Sequence, residues 1–197
     1  MNASDFHLST ATPDDRGRLL LLHKTVRVET DMPIMGENAE ATWKAGYYET
    51  LWHEEFPIQR NTVIKAEIGG QLVGFSRFGA PCFSEYPEEY PEEKLGDYKH
   101  DLGELHQLYI DKNFQNCGLG RTLYFAALHK LKESGYRHMF ISMYEVNPLA
   151  RAFYEKMGAR FHFSRADRAT RGDKTFDIKV AAYLHKNIDR MPVTAKG

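Results

Sequence analysis

The sequence predicts an α/β domain of the α+β kind, with about six to seven strands interleaved with helices. Three observations predict it. Short runs of β-rich alternation are interleaved with stretches of helical spacing. Gly69-Gly70 joins two of the β-rich runs as a two-residue hairpin link. A strand candidate over residues 104–111 leads through a glycine turn straight into a helix-forming stretch. At 197 residues and 42% hydrophobic content the chain has material for one well-packed core rather than two. The expected domain therefore spans residues 1–190, with an acidic loop insertion at 80–101 and a loose tail at 191–197.

Residues 6–11 alternate apolar and polar and predict the first strand. Thr12-Pro13-Asp14-Asp15 supplies a cap and an N1 proline for an amphipathic helix through Leu19, Leu22 and Val26. Trp43, Tyr47, Leu51 and Trp52 recur at spacings near three and four, which predicts a second helix over 39–56, stopped by Pro57. Residues 62–68 and 71–78 form the hairpin around Gly69-Gly70. Residues 80–101 break the pattern with Pro81, Pro87, Pro91, Tyr86, Tyr90, Tyr98 and seven carboxylates, and read as an inserted surface loop. After the strand at 104–111 come a helix over 121–134 closed by Gly135 and a strand at 139–144. A helix then opens at Asn147-Pro148 and ends at Gly158. Strands at 160–163 and 175–184, around a polar turn at 164–174, complete the set.

Composition narrows the function. With 26 basic and 27 acidic side chains the net charge is −1, so no global field draws in nucleic acid, and no nucleic-acid partner is expected. Cys82 and Cys117 form no CxxC pair and no metal-type cluster, so neither a disulfide framework nor a metal site is implied, and a reducing cytoplasmic setting fits best. No run of about 18 apolar residues predicts a membrane span.

The informative segment is Gln115-Asn116-Cys117-Gly118-Leu119-Gly120-Arg121. A diphosphate held against protein needs hydrogen-bond donors that cost no side-chain entropy. A glycine turn entering a helix provides backbone N–H groups and the positive end of the helix dipole. Two glycines alone are equally an ordinary strand-to-helix turn. A dinucleotide fingerprint would need a third glycine where Leu123 stands, and a Walker loop needs Gly-Lys-Ser/Thr, which is absent.

The letters do match Q/R-x-x-G-x-G/A. The stretch from Leu108 through Asp111 to Gly120 resembles the fourth strand and pyrophosphate loop of the GNAT superfamily of N-acetyltransferases. Asn147-Pro148-Leu149-Ala150-Arg151-Ala152-Phe153-Tyr154-Glu155-Lys156-Met157-Gly158 is similar to that family's N-x-x-A-x-x-F-Y-E-K-x-G segment. Departures are Lys112, where the family often has proline, Cys117, and Arg160-Phe161 after Ala159. None of them removes a backbone donor.

The resemblance implies a single GNAT-like domain, a mixed, mostly antiparallel central sheet of about six to seven strands flanked by helices with splayed fourth and fifth strands, and acetyl-CoA as acyl donor without a metal. The coenzyme would be bound by Leu108, Tyr109 and Ile110 through backbone groups, by Gln115, Asn116, Cys117, Gly118, Leu119, Gly120 and Arg121 at the pyrophosphate, and by Asn147 at the pantetheine arm. Asn147 is equally a helix N-cap. Tyr154 would be the general acid toward the departing sulfur, or else a core aromatic. Glu104 is the candidate general base and also reads as a strand-end glutamate. His106, two residues on and on the same strand face, is the alternative base or a half-buried histidine. The expected reaction is direct acyl transfer, of acetyl in the first instance, to a primary amine in a ternary complex. A non-enzymatic acyl-CoA-binding sensor is the competing reading. Acidic and aromatic residues at 84–101 suit a cationic acceptor or form a solvated loop. A homodimer is a tendency of the family rather than something the spacing shows.

Overall fold

The computed structural model describes residues 5–35, 52, 61–81, 91–171 and 174–191. Its strands are β1 (His7–Thr10), β2 (Asn61–Ile68), β3 (Gln71–Gly79), β4 (Leu102–Ile110), β5 (His138–Tyr144), β6 (Arg160–Arg171) and β7 (Lys174–His185). They form one seven-stranded sheet in the order β1-β2-β3-β4-β5-β7-β6. Neighbours are antiparallel except β4 and β5, which run parallel. The mixed, mostly antiparallel sheet expected from the sequence is therefore present.

Three longer helices cover the sheet: α1 (Arg16–Met35), α2 (Leu119–Glu133) and α3 (Pro148–Lys156). A 3-10 turn, Pro13–Asp15, precedes α1, and the Asp15 carboxylate accepts the Thr12 N–H at 2.9 Å, satisfying one of the donors a helix start leaves open. At α3, Pro148 takes the first helical position and Asn147 Oδ1 accepts the Ala150 N–H at 2.9 Å. Gly158, at φ 101°, lets the chain leave that helix in a left-handed turn.

Apolar side chains divide between the two faces of the sheet. On one face, Leu119, Leu123, Tyr124, Ala127, Leu128 and Leu131 of α2 and Tyr154 of α3 pack with Leu105, Met139, Ile141 and Tyr183. On the other, Leu19, Leu22 and Val26 of α1 pack with Val63, Leu72, Phe75 and Trp52. Full burial of one such leucine contributes about 1.5–3 kcal/mol, so the α1 stripe and the α2 stripe each anchor their helix. Helix α2 lies so close to β4 that a Cβ on Gly103 would sit 2.7 Å from Leu131 Cδ2 and 3.0 Å from the Tyr136 ring.

Several expected boundaries move. Within the polar stretch 164–174, residues 164–171 and 174 are strand: Ser164 pairs with Ala181 and the ladder continues to Arg171–Lys174, so β6 and β7 are arms of one long hairpin. Backbone pairing sets the strand there, and apolar alternation is not needed for it. The expected surface loop at 80–101 is only partly one. Glu92–Leu95 is a helical turn leading into the 3-10 turn Gly96–Asp101, and Leu95 is buried against Leu102 and Phe140. The helix expected over 39–56 lies outside the described residues apart from Trp52, which is helical and buried.

Trp52 is tied to α1 through His23, whose Nδ1 accepts the indole N–H at 3.2 Å while its ring stands 4.5 Å from that of Tyr109. Burial, and then the charges of Arg27 and Arg77, push the His23 pKa down to about 3. The unfolded chain therefore takes up this proton near pH 6.5 and the folded one does not, so the histidine's contribution is complete above pH 6.5 and is lost as pH falls toward 3. Urea titrations should show His23 costing roughly 2 kcal/mol of stability between pH 7 and pH 5. His23→Gln should flatten that dependence, and equal slopes for both proteins would refute the assignment. Gly103→Ala should lower stability by roughly 1–3 kcal/mol through overpacking, read as a fall in Tm.

Candidate active site

The central event in the sheet is the parting of β4 from β5. Their ladder runs from Leu102–His138 to Leu105–Ile141 and stops, although β4 continues to Ile110 and β5 to Tyr144. Beyond that point β4 stays bound to β3, with Ser76–Leu108, Phe75–Tyr109 and Gly74–Ile110 in register, and β5 stays bound to β7. Between Phe78–Leu105 and Arg77–Gln107 the register with β3 slips by one residue, which makes His106 the bulged position. A bulge increases local twist and bends the strand, and here it coincides with the opening of a notch in the sheet.

Strand alternation assigns side chains to the two faces of this notch. Leu105, Leu108 and Ile110 pack on the α2 face, as do Met139, Ile141 and Met143. Leu102, Phe140 and Tyr109 belong to the opposite face, which α1 covers in part. Glu104 shares that face with Leu102, and Ser142 shares it with Phe140.

The loop expected to take a pyrophosphate closes the α2 face. From β4 the chain makes a 3-10 turn, Lys112–Phe114, in which Asp111 caps the Asn113 N–H. Asn116 (φ 60°) and Gly118 (φ 90°) then turn it left-handed into α2. The first bond inside α2 is Thr122 N–H to Gly118 O at 3.1 Å, so the N–H groups of Leu119, Gly120 and Arg121 have no partner within the helix. At Gly120 a Cβ would lie 3.1 Å from Ile110 Cδ1 and 3.2 Å from the Phe153 ring, which shows how tightly the helix start is held against β4 and α3.

The side chains of the loop act mainly on the protein itself. Gln115 Nε2 donates to Ile110 O at 3.2 Å, Cys117 Sγ donates to Phe114 O at 2.9 Å, and Arg121 lies over the Phe125 ring. Leu119 is buried, which leaves only its backbone for a ligand. Asn147 Oδ1 is committed to capping α3, so its amide N–H2 is the part left for a ligand. Thus the loop offers an anion chiefly backbone donors and a helix N-terminus.

Tyr154 lies on the same α2 face, buried against Tyr124 and Phe153 at ring distances of 6.2 Å and 5.3 Å. Burial raises its pKa, so the phenol keeps its proton at neutral pH and has an O–H to donate. Tyr124 beside it hydrogen-bonds His185 Nδ1 at 2.8 Å. Glu104 and His106 are together on the other face, with His106 Nδ1 3.4 Å from Glu104 Oε1 and both side chains 6% exposed. His106 Nε2 is 3.2 Å from Ala80 O, and since a carbonyl only accepts, this nitrogen carries hydrogen. His106 thus stands between Ala80 O and the Glu104 carboxylate. The candidate acid and the candidate base stand on opposite faces of the sheet, with the notch between them.

Two polar residues of the notch escaped the sequence reading. Gln107 Oε1 and Ser142 Oγ are out of contact with solvent and have no hydrogen-bond partner. Their alternation with apolar neighbours was visible, but nothing in it told that the sheet opens beside them. Among the described residues no cluster of His, Cys, Asp and Glu could hold a metal ion, and no helix is long and apolar enough to cross a membrane.

Known proteins resemble this chain in both sequence and architecture. The "Probable spermine N(1)-acetyltransferase" of Bacillus subtilis subsp. natto is 32% identical over 94 residues, 47% of this chain and 55% of that protein. The spermine/spermidine N(1)-acetyltransferase of Bacillus subtilis strain 168 is 31% identical over the same shares. The chain thus spans about half the length of the curated relatives it matches. The crystal structure of the paia N-acetyltransferase of Thermoplasma acidophilum in complex with coenzyme A aligns over 92% of this chain and 98% of that one. Its TM-score is 0.66 at 18% identity, a likeness of fold. Residues 30–159 match the model of the Acetyltransferase (GNAT) family, which takes in the notch, the glycine loop and α3, and the chain belongs to that family.

Proposed function

We propose that the protein transfers acetyl from acetyl-CoA to a primary amine. The observation that carries this is the pairing of an open strand notch with a helix N-terminus at its mouth, both built from the segments that match the family. Cofactor fit rests on geometry. The first-turn N–H groups of α2 and the left-handed turn at Gly118 suit a pyrophosphate, and Leu108 and Ile110 border the notch where an extended arm with amide groups would pair. Gln115, Asn116, Cys117, Gly120 and Arg121 line the loop, and Asn147 borders the arm. Acetyl-CoA supplies the activated thioester.

The protein's own groups do the rest. Glu104, with His106 beside it, takes a proton from the acceptor ammonium. The freed nitrogen lone pair forms the C–N bond to the thioester carbonyl as the C–S bond breaks, Tyr154 donates its phenolic hydrogen to the departing sulfur, and the second proton that the acylated nitrogen sheds restores the phenol, leaving amide and free thiol. The notch between the two faces is the path along which amine and thioester meet. The names of the Bacillus subtilis relatives favour a polyamine as acceptor, and the carboxylate of Glu104 suits a cation.

Isothermal titration tests the donor site: acetyl-CoA should bind the wild-type chain, and Gly118→Glu should abolish binding by placing bulk and negative charge at the phosphates. Absence of binding to the wild type would reject the proposal. In steady-state assays with acetyl-CoA and spermidine, Tyr154→Phe should retain donor affinity and lower kcat by about 10–100-fold, within the range of a lost general acid. An unchanged kcat would remove Tyr154 from that role.

A further inference from the structure

We propose that Gln107 and Ser142 hold the acceptor's primary ammonium group beside Glu104, on the α1 face of the notch. This rests on the acyltransferase reading above and specifies its acceptor site.

Three acceptors share that face of the notch. Glu104 pairs across the ladder with Phe140, and Ser142 is two residues further along β5 on the same face. Gln107 follows the bulge at His106, so the slipped register returns its side chain to the face of Tyr109 and Glu104. At roughly 3.3 Å per residue, Gln107 and Ser142 each stand one step, about 6–7 Å, above the Glu104–Phe140 row, on the two sides of the widening gap. Gln107 Oε1 and Ser142 Oγ are buried without a hydrogen-bond partner. A buried acceptor left unmade is costly, and a ligand N–H that completes it recovers that cost.

An R–NH3+ group has three N–H bonds, and this wall offers three acceptors: the amide oxygen, the hydroxyl oxygen and the carboxylate. When Glu104 removes one proton, the other two N–H bonds remain held by Gln107 and Ser142. A secondary ammonium has only two N–H bonds, so one of the three acceptors stays unmade. Arg27 and Arg77 also bring positive charge to this region, as their joint influence on His23 shows. Like charge disfavours the ammonium form, so they assist its proton loss to Glu104.

The test measures acetyl-CoA affinity by calorimetry and steady-state kinetics with spermidine, n-butylamine and N-methylbutylamine in wild type, Ser142→Ala, Gln107→Leu, Ser142→Thr and Gln107→Glu. Expected results are a rise of about tenfold in amine KM for Ser142→Ala and for Gln107→Leu, with kcat within about threefold and acetyl-CoA affinity unchanged. Ser142→Thr and Gln107→Glu, which keep an acceptor oxygen, should restore KM, and N-methylbutylamine should be a poorer substrate than n-butylamine. Unchanged KM in both truncated variants overturns the proposal. So does a parallel loss of acetyl-CoA affinity that the conservative variants do not rescue, which marks a merely structural role. Wild type that binds acetyl-CoA yet turns over none of the amines overturns this acceptor site and leaves the donor site standing. Wild type that fails to bind acetyl-CoA rejects the acyltransferase reading itself, and this proposal with it.

Discussion

Everything specific about this molecule depends on the ladder between β4 and β5 ending at Leu105 and Ile141. A sheet normally uses each interior backbone group on a neighbouring strand, and a gap inside it leaves polar backbone facing an opening. Here the gap is tolerated because each strand keeps its other partner: β3 holds β4 through Ile110, and β7 holds β5 through Tyr144. The bulge at His106 supplies the bend, and the packed helices on both faces prevent the strands from closing again. The resulting notch joins two chemically different faces, one with buried phenols and a helix N-terminus, the other with a carboxylate, an imidazole and unsatisfied side-chain oxygens.

Close packing keeps this opening in place. The start of α2 is pressed against the end of β4 so that a Cβ on Gly120 would crowd the ends of Ile110 and Phe153, while Gly118 and Asn116 take up the left-handed backbone that the turn demands. Gln115 reinforces the same junction by bonding Ile110 O, and Asn147 fixes the start of α3 across the mouth. These contacts hold the loop in shape without a ligand, so backbone donors are preorganised and little conformational entropy is left to lose on binding. On the far face, the buried pair of His23 and Trp52, with the His23 ring 4.5 Å from that of Tyr109, ties α1 to the β4 segment that borders the notch.

Much of the fold was legible in local pattern. Gly69-Gly70 marked the β2–β3 hairpin, Asn147-Pro148 and Gly158 bracketed α3, and the glycine loop stood between strand and helix as expected. What local pattern missed were elements defined by partners distant in sequence. Residues 164–171 are strand because β7 pairs with them, although their polar letters read as a turn. Leu95 is core because Leu102 and Phe140 meet it, although it stands alone among the polar letters Glu92-Glu93-Lys94 and Gly96-Asp97. At the site, Glu104, His106 and the loop were singled out from the sequence. Gln107 and Ser142 were not, since a polar residue in a strand signals nothing until the neighbouring strand is seen to move away.

The sequence by itself therefore determined the parts: which segments form strands and helices, where glycine permits a phosphate-sized approach, and which side chains have chemistry to offer. Only the tertiary structure decided their arrangement. It set Glu104 against His106, placed Tyr154 on the opposite face, and opened the sheet between them. The physical reason is range. Caps, turns and periodicity act over a few residues and are written in adjacent letters. A ladder's end depends on the hydrogen bonds of two segments some thirty residues apart, and no local pattern specifies where those bonds stop.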